Sequence, residues 1–358
     1  MPPYINELQQ NQQKMDVLEK LCKAGGISGF EDEVRDIMIE EFKKVKCEVS
    51  VDKFGNVIAK KGKGKTKIML AAHMDEVGLL VKYISKEGFL SFVKIGGIDD
   101  RVLVNKMVRV KTGDHITGNV TGVIGAKPPH LQKDKEGREV IKHEDLFIDI
   151  GARSRKEAEK LVKIGSPITF MPNYEILNKD LICGKAFDNR LGCYALIQIM
   201  KNLPKLDAEV YAVGTTQEEV GLKGARVAAF KINPDYSIAI DITLAGDTPQ
   251  IKESESNLKI GKGPAITILE ASGRGVVTHP AVKDILVKTA VKNKIPYQMD
   301  VLEGGMTDAA IIYMTREGIP SGVVSIPIRY THGPVGVCNL KDMENTIKLV
   351  LKSLKYLC

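Results

Sequence analysis

His73 with Asp75, Glu218 with Glu219, Asp241, and His332 share one position in the pattern of this chain. Each stands at, or a few residues past, the end of an apolar run of buried-strand type: 67–72, 210–213, 236–240 and 322–326. Asp188 stands at the start of a helical pattern, inside Ala186-Phe187-Asp188-Asn189-Arg190. Ligands of open α/β sheets gather beyond the carboxyl ends of strands, so these side chains are expected to converge. Imidazole mixed with carboxylate suits zinc, cobalt, manganese or nickel rather than the oxygen cages of calcium and magnesium. Two histidines and several acids exceed the three protein ligands that one catalytic zinc needs. A pair of ions sharing a carboxylate fits the inventory better. Two divalent ions are balanced by three carboxylates and a hydroxide, so one of Asp188, Glu218, Glu219 and Asp241 should stay off the metals. That acid is free to take a proton from the attacking water. Neighbouring residues at a strand end point in different directions, which predicts different jobs for Glu218 and Glu219. Asp75, two residues beyond His73, is placed to hold the second ring nitrogen.

The elements that must position these groups can be read from periodicity. A helix is predicted over 31–46 from Val34, Ile37, Met38, Phe42 and Val45, with Ser28 and Glu31 spaced as a capping box. Strands at 48–51 and 56–60 flank the turn Phe54-Gly55-Asn56, and 210–213 precedes the acidic corner, which leads into a helix from Ala225. From 77 to about 172 the texture becomes short alternating segments between glycine and charged turns, as in a small barrel or sandwich. The α/β texture then returns, with helices over 191–200, 281–292, 308–314 and 342–356 and strands at 265–268 and 297–301. The fold class is therefore α/β, a central mixed sheet flanked by helices. Residues 1–76 and 177–358 form one split domain, and 77–176 form an inserted β-rich domain. A length of 358 residues agrees with two domains.

Composition excludes several classes. Apolar residues make up 43% and charged residues 27%, an ordinary globular balance. Aromatics are only 5% and tryptophan is absent, which removes the stacking platforms of single-strand nucleic-acid binders. The net charge of +7 is dispersed apart from 60–67, read as a solvated turn. Gly64-Lys65-Thr66 is no phosphate loop, since Ala59 stands where the first glycine is required. The six cysteines show no framework spacing and read as thiols of a reducing compartment. Residues 1–14 lack the layout of a signal peptide, and no apolar run approaches the ~20 residues that span a bilayer. A cytoplasmic protein, with neither nucleic acid nor membrane as partner, is expected.

The segments Ala72-His73-Met74-Asp75-Glu76-Val77-Gly78, Phe187-Asp188-Asn189-Arg190, Thr216-Gln217-Glu218-Glu219-Val220-Gly221 and Ala239-Ile240-Asp241-Ile242-Thr243 closely resemble the M42 family of metallo-aminopeptidases. These are the tetrahedral aminopeptidases, some of them labelled endoglucanases. Lys127-Pro128-Pro129-His130-Leu131, Ala245-Gly246-Asp247-Thr248-Pro249 and Tyr330-Thr331-His332-Gly333-Pro334 are similar to further family segments, so the likeness covers nearly the whole chain. It implies a zinc-aminopeptidase-like fold acting on peptides. One zinc or cobalt ion would be held by His73, Asp188 and Asp241, and a second by Asp188, Glu219 and His332. Asp188 would bridge, and Glu218 would be the general base. It also implies that the insertion is PDZ-like and builds dimers, which assemble into a hollow tetrahedral dodecamer. The chain departs from the family at Gly333 and Gly336, where Ser and Glu are usual, and at Met306 inside Gly304-Gly305-Met306-Thr307-Asp308. Both departures are expected near the substrate pocket.

The alternatives are a related two-metal carboxypeptidase or deacylase, and a catalytically silent peptide-binding shell. A glycosidase is disfavoured, because adjacent glutamates cannot face each other across a sugar while one is tied to a metal. His115 and His143 read as solvated, His130 as loop or interface structure, and Asp308 as a helix N-cap. Nothing in the sequence assigns His279 a role.

Overall fold

The computed structural model describes residues 16–112, 118–128, 130 and 140–358. A ten-stranded mixed sheet carries helices on both faces. Its centre is β2 (Val57–His73) with β11 (Asp207–Thr215), β12 (Tyr236–Leu244) and β15 (Ser321–Arg329). β2 is bent around β11. Its first arm pairs Val57 with Gly214 and Lys63 with Ala208, and its second pairs Thr66 with Ala208 and Ala72 with Gly214. The first arm is thus antiparallel to β11 and the second parallel. Glycine is required at this bend, since a Cβ at Gly62 or Gly64 would lie 2.4 or 2.2 Å from the backbone of Ala208 and Asp207. The lysine-rich 60–67 stretch is therefore sheet rather than a free turn: Lys60 pairs with Glu209, and Lys61 Nζ donates to the Met200 carbonyl.

Alternation along the second arm of β2 decides the layers. Ile68, Leu70 and Ala72 point to the larger core, beneath α1 (Asp32–Lys44), α3 (Phe187–Lys201), α5 (Pro280–Lys292) and α7 (Leu340–Ser353). Met69 and Ala71 point to the other face, against α4 (Lys223–Ile232) and α6 (Ala309–Ile312). The second arm runs parallel to β11 and β12, and β12 to β15. Parallel strands buried on both faces need no polar alternation, which is why they read as unbroken apolar runs.

Six short strands between Gly78 and Phe170 close into a barrel around Val81, Leu90, Phe92, Val108, Ile148 and Ile168. The antiparallel hairpin of β9 (Tyr174–Asn178) and β10 (Leu181–Gly184) extends the main sheet from β16 (Gly336–Asn339). β9 shows no alternation in burial and β10 only four residues of it, too little for the sequence pattern to predict the hairpin. No helix among the described residues is long and apolar enough to cross a membrane.

Candidate metal centre

The acidic corner after β11 is held by side chains from distant segments. Glu31 Oε1 accepts the backbone N–H of Gln217, whose φ is positive, and Asn56 Oδ1 accepts that of Thr216. Asp75, fully buried, accepts the N–H of Glu218 at 3.0 Å and of Glu219 at 3.1 Å, and Ser28 Oγ donates to it at 2.6 Å. Asp75 therefore brackets the whole corner as well as standing 3.5 Å from His73 Nδ1. Ser28 and Glu31 form no capping box: Glu31 is the N-cap residue of α1 without a side-chain cap bond, and Ser28 serves Asp75. Two polar groups close to a helix start match that pattern, but Ser28 turns to the distant Asp75, and Glu31 Oε1 is shared between the N–H of Gly29 at 2.7 Å and that of Gln217 at 3.1 Å.

His73 Nδ1 faces the Asp75 carbonyl at 3.1 Å, and His332 Nδ1 faces the Gly97 carbonyl at 3.0 Å. A carbonyl only accepts, so the fitting tautomer of each ring donates from Nδ1 and leaves the Nε2 lone pair free. Both Nε2 atoms aim at Asp188, His73 at Oδ1 (3.0 Å) and His332 at Oδ2 (3.2 Å). His73 Nε2 is 3.8 Å from Asp241 Oδ1, and His332 Nε2 is 3.7 Å from Glu219 Oε1. Two groups thus share Asp188: His73 with Asp241, and Glu219 with His332, the donor atoms of each group lying within 4.8 Å of one another. Glu218 Oε2, 3.9 Å from His73 Nε2, belongs to a third such group with Glu219. Distances alone do not separate ligand from base between the two glutamates. Asp241 lies inside β12, three residues before its end, rather than at it. A parallel strand buried on both faces leaves the end of its apolar run a poor marker of its last residue.

The electrostatics of these residues fit a divalent cation. Glu219 Oε1 is buried without a hydrogen-bond partner. Burial raises Glu219 to about 7, helped by Asp188, and raises Glu218 and Asp241 well above the usual range. The hydrogen bond to Asp188 raises His332 to about 9. Burial opposes the charge on His73, but the surrounding carboxylates outweigh it and raise this ring too. Burial also opposes ionisation of Asp188, yet bonds from both imidazoles hold it below the carboxylate range. Two imidazoles that donate to Asp188 from Nε2 when protonated, and present a lone pair there once the proton leaves, together with buried acids form a donor set suited to divalent cations of the zinc type.

Several residues here carried no clear signal in the sequence. Glu76 is buried with both Lys185 (2.7 and 2.8 Å) and Arg190 (3.2 Å), and these two cations also bond to carbonyls of residues 21–26. Glu76 and Arg190 lie inside the motif segments quoted above and Lys185 just before one, which is the hint the chain offers. Asp308 precedes α6 without capping it; its Oδ2 accepts from Thr215 Oγ1, and burial raises it to about 6. His279 Nδ1 caps α5 by accepting from Ala281 N. His143 packs on Phe92 and lies near the half-buried Asp100 and the exposed Glu144, and Lys94 already pairs with Asp100. His115 lies outside the described residues, and His130 is exposed.

A mixed sheet with an inserted barrel, and imidazoles and acids converging at its strand ends, defines a class: the chain belongs to the M42 peptidase family. The family model, M42 glutamyl aminopeptidase, matches residues 55–349. Among relatives, the lysyl aminopeptidase of Pyrococcus furiosus is 37% identical, over 93% of this chain and 94% of its own. Aminopeptidase APDkam598 from Desulfurococcus kamchatkensis superposes with a TM-score of 0.92 at 40% identity, over 97% and 96% of the two chains. Pyrococcus horikoshii TET1 peptidase, which can assemble into a tetrahedron or a large octahedral shell, superposes with a TM-score of 0.85 at 37% identity, over 95% and 98%.

Proposed function

We propose that this chain is a cytoplasmic aminopeptidase that removes N-terminal residues from peptides with two divalent ions, zinc or cobalt. His73, Asp188 and Asp241 would hold one ion, and Asp188, Glu219 and His332 the other. The observation that carries this reading is that both imidazole Nε2 atoms aim at one carboxylate, Asp188, at 3.0 and 3.2 Å. When bound, such ions polarise a scissile carbonyl and lower the pKa of water. Glu218 takes a proton from the attacking water and returns it to the leaving amine. Asp75 is the positioning residue for both halves: it orients the His73 ring and fixes the backbone of residues 218 and 219. The split domain, 1–76 and 177–358, carries the chemistry. The insertion, 77–176, is the PDZ-like element that builds dimers, and these assemble into a tetrahedral dodecamer as the Pyrococcus horikoshii relative can.

The test is hydrolysis of matched peptides with free and acetylated N-termini, by metal-stripped protein and after zinc or cobalt is restored. Two ions per chain, and cleavage of the free-amine peptide alone, are expected. Equal cleavage of the acetylated peptide, or activity that survives stripping, refutes the reading.

A further inference from the structure

We propose that the inserted barrel is a working part of the Asp188–Glu219–His332 group, and that Asn173 is the positioning residue that keeps His332 in it; the inference rests on the two-ion reading above. The two groups that share Asp188 are supported differently. His73 is oriented by Asp75, and Asp241 lies inside β12, so the first group is held within the split domain. Glu219 and His332 instead meet the chain that leaves the barrel strand Leu90–Ile95. Gly96, at φ 81°, lies so close to Glu219 that a Cβ there would stand 3.3 Å from its Oε2, and 2.7 Å from Val77 Cγ1. Gly97 offers its carbonyl to His332 Nδ1 at 3.0 Å, and a Cβ on it would stand 3.2 Å from the same nitrogen. A side chain at either glycine would push on a neighbour, so bare backbone forms this wall of the group.

His332 stands at the tip of the hairpin between β15 and β16. That tip does little to support itself. Tyr330 and His332 take positive φ, 63° and 54°, a region that residues other than glycine rarely occupy. Among the described residues, no turn hydrogen bond is made within 330–335. Apart from the His332 ring, the polar tie of the tip is at Pro334, whose carbonyl accepts from Asn173 Nδ2 at 3.0 Å. The same Nδ2 donates to the Met171 carbonyl at 3.3 Å, just beyond the last barrel strand, Pro167–Phe170. Carbonyls only accept, so the amide nitrogen with its two protons must face them. Asn173 Oδ1 is left buried without a partner. An unpaired buried acceptor is costly, and the two donated bonds are what asparagine supplies in return. One amide thus ties the barrel exit to the loop that carries a ligand two residues away, while Gly97 fixes the ring of that ligand from another barrel connection.

The experiment measures binding of zinc alone to the stripped wild type, Asn173→Ala and Asn173→Asp by dialysis at graded free zinc, with His332→Ala as the reference that lacks a ligand. Zinc anomalous scattering from crystals of the loaded proteins assigns each ion to its residues. Wild type is expected to hold two ions. Both Asn173 variants should keep the His73–Asp188–Asp241 ion within about twofold of wild-type affinity and bind the other about tenfold more weakly. Asn173→Asp should be the weaker of the two, because its carboxylate faces two carbonyls. Circular dichroism of the stripped variants checks their folding, and Asn173→Ala carries the comparison if Asn173→Asp does not fold. Equal weakening of both ions, or failure of both variants to fold, makes Asn173 a general structural residue and overturns the inference. Unchanged affinity for both ions overturns it as well, while leaving the two-ion reading in place. A wild type that binds fewer than two ions, or binds them at other residues, overturns that reading and this inference with it.

Discussion

Replacing Glu218 by glutamine tests the division of labour at the acidic corner. The amide keeps the shape of the acid, and the backbone N–H of residue 218 still reaches Asp75 at 3.0 Å, so the corner should hold its form. What is lost is proton transfer, which contributes about 10²–10⁴ in rate, or roughly 3–5 kcal/mol of barrier. Because the proposed mechanism uses the same carboxylate for both the attacking water and the leaving amine, the upper part of that range is expected. KM should stay within about twofold, since the loss falls on the transition state alone. Glu219→Gln should behave differently. Its Oε1 lies 3.7 Å from His332 Nε2 with no hydrogen-bond partner, so the amide weakens one ligand group and metal content should fall from two ions toward one. The assay is metal content per chain alongside kcat and KM for both variants. Equal metal loss in the two, or more than a tenth of wild-type kcat in Glu218→Gln, refutes the assignment.

Protonation gives a second prediction. In the metal-free chain Glu219 is raised to about 7, Asp308 to about 6 and His332 to about 9. A raised folded-state pKa gives stability that is present below the unfolded value and lost as pH rises through the folded one, for acids and imidazole alike. Tm of the metal-free protein should therefore fall between about pH 5 and 9, zinc should raise it most at the alkaline end, and binding near pH 7 should release protons. A Tm rising over that interval contradicts the burial argument. The third prediction concerns the buried trio. Glu76→Gln strands two buried cations and should cost about 3–5 kcal/mol in urea unfolding, whereas Lys185→Met leaves the Glu76–Arg190 pair and should cost less. The reverse ranking would show that the pairing is not what stabilises this region.

Local pattern made much of the architecture legible. The buried strands read as apolar runs, α3 and α5 as periodic stripes, and the insertion as a change of texture between two α/β halves. The convergence of His73, Glu218, Asp241 and His332 was readable because parallel strands buried on both faces deliver their ends to one edge. Glu218 and Glu219 were marked as distinct by adjacency, and their roles came only with the family resemblance.

Tertiary structure alone decided what spacing could not encode. Ser28 reaches Asp75 across 47 residues, Lys185 reaches Glu76 across 109, and the barrel carbonyl of Gly97 faces His332 across 235. β11 lies between two arms of one strand, so a lysine-rich stretch that reads as a turn becomes sheet. Ser28 and Glu31 match a local capping pattern, but Ser28 binds Asp75, and Glu31 divides its bonds between local Gly29 and distant Gln217. A sequence window reports local backbone preference and face alternation, whereas the partner of a buried polar group is fixed by which distant segment packs beside it. The sequence by itself therefore determined the strands and the family, and the packing decided what holds the acidic corner.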